Sequence, residues 1–538
     1  MPQARRAPAH TPQPPSTLQR RQQEQWQQWQ AHQHMQQQRR QKLANPPAWR
    51  AGVRPGPPAR VRAATLWAVL ATGLLSALFL GEGLGLNLLL VALPAALAAY
   101  FAAQAAGRRI RAWTLVWGLG GIALLLVPAL RDAGWPTFLA MLSALALGSL
   151  ALHGSRSWFG VLVGSLGIWG SVVPGVGWGW KGLRERAGGS RERWGPVLRT
   201  AGVALVLLVV FGALFASADA AFAELLGGLV PDVSVSDGPW RILLFALGLV
   251  GALAAARTAA APLQWDKARI APGRARGRME WALPLVVLNL LFAAFIAVQL
   301  AVLLGGYAKV LDETGLSYSE YARQGFWQLL WATVLTLVVI AFAKRWAPRG
   351  NGGDRTLVRS VLGVLCLLTL VVVASALSRM NLYVDMYGLT RLRISVAAVE
   401  LWLGLVIVLI LAAGVFGARL LPRAIAASAG AAVVAFGLMS PDALIAQSGV
   451  QRFAEHKSID IDYLQGLSAD AVPALNRLPE PQRSCALRGI ADGLEERPWY
   501  ATSIGERRAL ALVAAHPLRA SVAECRQLSP VNSGEYGR

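Results

Sequence analysis

One carboxylate stands well inside an apolar, helix-length run: Glu400, in Val399-Glu400-Leu401-Trp402. Placing such a charge at a bilayer centre costs about 2.5–3.5 kcal/mol, so it must face protein or water. It is either a proton or cation site, or a carboxyl near the interface bonded to an arginine such as Arg391 or Arg393. Asn289 and Gln299 lie in another apolar run. They could line a path, although tying helices together is the commoner use of such amides. The polar segments hold a second set. Residues 217–239 carry Asp219, Glu224, Asp232 and Asp237 without Lys or Arg. Residues 306–325 carry Asp312, Glu313, Glu320 and Arg323 with Tyr307, Tyr318 and Tyr321, and residues 378–393 carry Arg379, Asp385, Arg391 and Arg393 with Tyr383 and Tyr387. Brought together, these make an acidic, tyrosine-lined patch suited to a sugar, a cation or a peptide. Its proposed members are Asp219, Glu320, Tyr321, Arg323, Tyr383, Asp385, Tyr387, Arg391 and Arg393. The plainer reading is an interfacial tyrosine girdle with solvated charges.

Other chemistry is missing from the pattern. The three cysteines, Cys366, Cys485 and Cys525, form no CxxC, and none of the six histidines stands at ligand spacing to a Cys or Asp. His32 and His34 lack carboxylate or thiolate partners. There is no Walker A, HExxH or GxSxG. No catalytic residue, metal site or cofactor is therefore nominated.

The elements that must position these groups are membrane helices. The chain has 538 residues, 55% hydrophobic and 15% charged, with mean hydropathy +0.44. A soluble domain carries about 25% charged residues. Apolar blocks long enough to cross a bilayer core, which needs about 20 residues, fall at Ala63–Leu80, Leu84–Ala103, Ala112–Leu130, Pro136–Leu152, Thr200–Ala216, Trp240–Ala260, Trp281–Gly305, Phe326–Ala343, Ser360–Leu377, Ile394–Gly417 and Ala424–Met439. The expected architecture is all-α and polytopic, with about eleven transmembrane helices (residues 63–439). Trp67, Trp113, Trp135, Trp240, Trp281 and Trp327 flank spans as aromatic belts. Residues 158–180 are apolar but hold seven glycines and Pro174. That composition predicts an interfacial or re-entrant segment covered by protein.

Net charge is +23, and its placement orients the chain. With the N-terminus inside and 158–180 not crossing, the inner segments hold 31 Lys and Arg and the outer loops 6. The basic residues then face anionic lipid, and nucleic acid is not an expected partner. Residues 1–62, rich in Gln, Pro and Arg, have too little apolar surface to offset the entropy of ordering and are expected to be a disordered cytoplasmic tail. No cleavable signal peptide is visible.

Residues 440–538 are expected to be a small helical region outside the cytoplasm. Ser440-Pro441-Asp442 and Ser468-Ala469-Asp470 read as helix caps, and Ser317-Tyr318-Ser319-Glu320 as a capping box. Cys485 and Cys525 both lie in this region, where disulfides persist. They are either a bridge or two small buried residues.

Five separated strings occur in order: Ser217-Ala218-Asp219-Ala220-Ala221-Phe222, Asn289 to Phe295, Tyr321-Ala322-Arg323-Gln324-Gly325-Phe326, Tyr383 to Arg393, and Asp460 to Leu464 with Leu467 to Pro473. Together they resemble a family of bacterial polytopic membrane proteins described only as a domain of unknown function. The resemblance covers roughly residues 140–480. It implies a bacterial inner-membrane protein and supplies no activity.

The sequence thus points to a non-enzymatic envelope protein that binds, senses or scaffolds through an unknown external ligand or protein. A secondary transporter of a small solute and a lipid-linked transferase using external acids are the alternatives. A transporter needs midplane polar groups and broken helices in matching halves. Pro94, Pro128 and Pro284 interrupt spans, but no repeat is visible.

Overall fold

The computed structural model describes residues 55–132, 134–187, 238–268, 275–305, 318–348, 350, 352–456 and 459–528, with Trp29, Met35 and Val53; between 302 and 325 the backbone alone is described. The chain divides into two compact units, and the one formed by Pro55–Asp266 and Ile270–Arg538 holds all the helices named below. Apart from Trp29, Met35, Val53 and 55–62, the expected tail lies outside the described residues, as do the span at Thr200–Ala216 and Asp219.

Among the described residues every regular element is helical. Long apolar runs leave no water to satisfy backbone groups in lipid, so each run must close its own hydrogen bonds as a helix. The first is the short apolar α1 (Ala63–Phe79). It is followed by α2 (Asn87–Ala105), α3 (Ala112–Leu130), α4 (Trp135–His153), α5 (Trp158–Gly164), a 3-10 turn at Gly167–Ser171 and α6 (Val172–Ala187). Then come α7 (Gly238–Ala260), α8 (Arg278–Gly305), α9 (Tyr318–Trp346), α10 (Gly352–Tyr387), α11 (Arg391–Phe416) and α12 (Leu421–Met439). Nine described helices, α2–α4 and α7–α12, are long and apolar enough to cross a membrane, and α5 and α6 form a pair bent by 67°. The protein is a multi-pass membrane protein.

Contacts give each helix a direction. Ala252 and Ala256 of α7 share a core with Val69 of α1 and Ala98 and Ala102 of α2. A Cβ at Gly248 would fall 2.2 Å from the Ser76 hydroxyl, so small residues let these backbones approach closely. Arg241, at the start of α7, pairs with Glu82 beyond α1. At its far end Arg108 donates to the carbonyls of Ala259 (2.6 Å) and Leu152 (2.9 Å), capping α7 and α4 together. Arg423, at the start of α12, donates to the Ser155 carbonyl beyond α4 (3.0 Å). One end of the bundle therefore gathers Arg60, Arg62, Arg108, Arg109, Arg111, Arg156, Arg419 and Arg423, and is called the basic end here. The loops after α1, α3 and α10 lie at the opposite end.

Beyond α12, the helices α13 (Pro441–His456), α14 (Ile461–Gln465), α15 (Val472–Leu475), α16 (Gln482–Asp492), α17 (Ile504–Ala515) and α18 (Val522–Leu528) pack around their own core of Ile445, Val472, Leu475, Leu487 and Ala509. A disulfide joins Cys485 of α16 to Cys525 of α18, with Cα atoms 5.2 Å apart.

Several expectations are corrected. Residues 378–393 are not a loop: α10 runs on to Tyr387, because no Gly or Pro interrupts it before Gly388, whose φ of +77° ends it. Trp281 is not a belt residue; it is buried and donates its indole N–H to the Ala343 carbonyl at 2.8 Å. Trp113 packs on Trp117, with the Arg423 guanidinium 5.2 Å from its ring centre. Ser440 does not cap α13; its hydroxyl turns to Asp470 at 2.5 Å. Ser468 precedes a 3-10 turn and makes no capping bond with its side chain.

Candidate functional site

The helices after α12 fasten to the bundle's opposite end at several places, among them Arg452 of α13, which donates to the Asp385 and Met386 carbonyls at the end of α10, and three others. The first is an ion pair. The Arg391 guanidinium meets the buried Asp442 carboxylate through two bonds, Nε to Oδ1 at 2.8 Å and Nη2 to Oδ2 at 2.6 Å. Planar fork-to-fork geometry of this kind adds specificity to charge. The Arg391 backbone N–H donates to the Tyr463 hydroxyl (2.8 Å), and Arg391 also donates to the Gly466 carbonyl (2.8 Å). The second fastening is Asp132, in the loop between α3 and α4, whose Oδ2 accepts the Ala469 N–H at 2.9 Å. The third is the loop between α1 and α2. Asn87 holds it by accepting from Gly85 and donating to the carbonyls of Phe79 and Gly83. Its backbone N–H then donates to the Tyr500 carbonyl at 2.9 Å. Phe79 and Tyr500 meet edge to face at 4.8 Å. Gly83 is required here, because its φ is +155° and a Cβ would fall 2.4 Å from the Ala501 carbonyl oxygen.

Between these fastenings lies a cleft of about 410 Å³, lined by Arg131, Asp132, Thr137, Ser468, Arg497, Ser503 and Glu506, with apolar walls from Leu84, Pro128, Leu467, Ile490 and Leu494. Such a mixture, an apolar wall with a few convergent polar groups, is the usual make-up of a small-molecule site. Glu506 is fixed: Thr502 donates to it at 2.9 Å, and Arg497 stands 3.6 Å away. Arg497 is shared with Glu495 at 3.0 Å. By contrast, the exposed Arg131 guanidinium has no hydrogen-bond or ion-pair partner among the described residues. The Ser468 hydroxyl oxygen is buried and also unpartnered. Behind the wall, burial pushes the Asp470 carboxyl above the ordinary carboxylate range, while the Ser440 hydroxyl and the Arg131 charge pull it back. Among the described residues no cluster of His, Cys, Asp and Glu is suited to a metal ion.

The residues expected from the sequence are distributed differently. Arg391 faces the C-terminal helices. Arg393 sits over the rings of Tyr383 (4.3 Å) and Tyr387 (6.0 Å) and donates to the Tyr387 carbonyl at 3.0 Å. Asp385 is exposed, and its carbonyl accepts from Arg452. Glu320, Tyr321 and Arg323 lie on α9, where the backbone alone is described. Glu400 is fully buried and is not bonded to Arg391 or Arg393. The Thr333 hydroxyl of α9 lies 3.0 Å from its Oε1, and its Oε2 has no partner. It stands nine residues along α11 from Arg391, about 13.5 Å at 1.5 Å per residue. Asn289 donates to the Val361 carbonyl (3.1 Å), and Gln299 accepts from Arg379 (2.9 Å). Both amides tie α8 to α10.

Sequence reasoning missed Arg131, Asp132, Ser468 and Glu506. One signal was available: Ser503-Ile504-Gly505-Glu506 has capping-box spacing, and the Glu506 N–H does donate to the Ser503 hydroxyl at 3.0 Å. Arg131-Asp132 offered only a pair of charges in a short loop.

A family model described as a domain of unknown function (DUF4153) matches residues 118–478. The chain belongs to this family. No curated protein and no solved structure matches it. The DUF4153 region contains Arg131, Asp132, Arg391, Asp442 and Ser468, whereas Arg497, Ser503 and Glu506 lie beyond its end. The cleft is therefore built partly from family sequence and partly from the residues that follow.

Proposed function

We propose that this DUF4153 member is a binding protein of the bacterial cell envelope. In this reading it sits in the cytoplasmic membrane with its basic end inward, and holds its C-terminal helices outside. The cleft takes a small oxygen-rich anion. The observation that carries the ligand is the unpaired Arg131 guanidinium in the same cleft as a buried, unpartnered Ser468 hydroxyl. A charge-assisted bond to the first and an ordinary one to the second would satisfy both. The gathering of Arg and Lys at one end supports the orientation, and so does a disulfide at the other.

Two measurements test this on the full chain in detergent. Addition of inorganic phosphate or sn-glycerol 3-phosphate should raise the unfolding temperature saturably, while glucose should not. Arg131→Ala should weaken that affinity about 10- to 100-fold, the worth of one charged hydrogen bond. Equal shifts in Arg131→Ala and the parent, or none in either, would defeat the reading. Thiol labelling of intact spheroplasts at Thr390→Cys tests the orientation; labelling only after lysis would reverse it.

Glu400 favours a second reading, proton-coupled transport, because one of its carboxylate oxygens is buried among helices without a partner. Reconstituted Glu400→Gln protein should then lose solute-driven proton flux while keeping the fold. Unchanged flux removes this alternative.

A further inference from the structure

We propose that the bent α5–α6 pair is a re-entrant anchor that enters and leaves the bilayer at the basic end and holds anionic phospholipid headgroups along Lys181 and Arg184. Both of its ends are tied to the same end of the bundle. At the entry, the Asp266 carboxylate accepts from the N–H groups of Arg156 and Ser157 and from the Ser157 hydroxyl, all within 3.0 Å. At the exit, Arg186 donates to the Val61 carbonyl (2.6 Å) and Trp178 donates to that of Ala59 (3.0 Å). Asp266 follows α7, and Val61 precedes α1. The chain passes four helices between Val61 and Ser157: α1, though short, carries it to Glu82 at the opposite end, and α2, α3 and α4 then bring it back to the basic end.

The pair is also shallow. The Ser149 hydroxyl, one turn from the end of α4, donates to the Gly164 carbonyl (2.6 Å) and accepts from Ile168 (3.2 Å). Gly175 and Gly179 pack on Leu253, where added Cβ atoms would fall 3.0 and 2.6 Å away. Leu253 stands seven residues before the end of α7, about 10 Å in, which is a third of a core about 30 Å thick.

The outward face fits a lipid leaflet. Leu162, Leu166, Trp169 and Val173 are 63–82% exposed, and in a re-entrant pair hydrocarbon covers them. Lys181 and Arg184 follow on the exit arm, with the Arg184 guanidinium 5.0 Å from the Trp180 ring centre. Among the described residues neither is paired with an acid. Cations beside exposed apolar side chains select an anionic phosphodiester at the membrane surface, and neither a soluble polyanion nor an acidic peptide supplies the hydrocarbon.

The full chain in sealed vesicles of phosphatidylcholine and phosphatidylglycerol tests both parts. Trp158→Cys, Leu183→Cys and the basic-end marker Arg109→Cys should all react with an impermeant maleimide from the same face. Opposite sidedness of Leu183→Cys and Trp158→Cys would show a span and overturn the proposal. Native mass spectrometry should show retained phosphatidylglycerol falling about 25-fold in Lys181→Gln/Arg184→Gln, at about fivefold per basic residue. Retention should survive in the charge-keeping Lys181→Arg/Arg184→Lys and resist excess inorganic phosphate. Equal retention in the neutralised variant, loss in the charge-keeping one, or displacement by phosphate would overturn lipid capture.

Discussion

Arg391 spends its charge on a partner in another element, and the two halves of that pair are unequally exposed. Asp442 is 4% exposed and Arg391 39%. Removing the guanidinium leaves a buried carboxylate facing only the Ser468 N–H. Breaking a fully buried pair costs about 3–5 kcal/mol, and solvent at Arg391 lowers that, so Arg391→Ala should cost about 2 kcal/mol. Limited proteolysis of the C-terminal helices measures it. Asp442→Asn should cost less, since the charge it leaves unpaired, on Arg391, is 39% exposed and still donates to the Gly466 carbonyl. Asp470 makes stability depend on pH. Its native carboxyl titrates higher than in the unfolded chain, so its contribution to stability is full below the unfolded value of about 3.9. That contribution is lost as pH rises through the native value. The stability of the parent relative to Asp470→Asn should therefore fall with rising pH and then level off; a difference that grows with pH contradicts the assignment.

Element ends show how much the sequence could tell. The apolar runs place the described spans within a few residues, because a bilayer leaves helix as the only open-chain solution. They do not reveal that α10 passes Leu377 by ten residues, since a polar helix turn and a polar loop have similar composition. Nor do they reveal which polar groups meet: Arg391 finds Asp442, 51 residues away, and no local pattern encodes that distance. The Ser503 capping box was readable, and its neighbour makes a test. A Cβ on Gly505, in the first turn of α17, would fall 1.9 Å from the Asp470 carboxylate. Gly505→Ala should therefore destabilise this region by about 1–3 kcal/mol through overpacking, read as earlier thermal release of α17 with the bundle unaffected.

Across the whole molecule, the C-terminal helices are secured by one covalent bond within and several fastenings to the bundle. Closing a 40-residue separation between Cys485 and Cys525 is worth about 4 kcal/mol in the chain-entropy view. Reduction, or the Cys485→Ser/Cys525→Ser pair, should lower the unfolding temperature of these helices and leave the membrane helices intact. The fastening at Asp132 also has a temporal side. Its partner Ala469 lies 337 residues later. At roughly 5–20 residues per second, the ribosome needs about 17–67 s to deliver it. Throughout that interval the nascent bundle must hold Asp132 and the Arg131 beside it in water, without the lid that completes them. Completion of the cleft is thus a post-insertion event, and a chain released early would be a threaded but unroofed membrane protein.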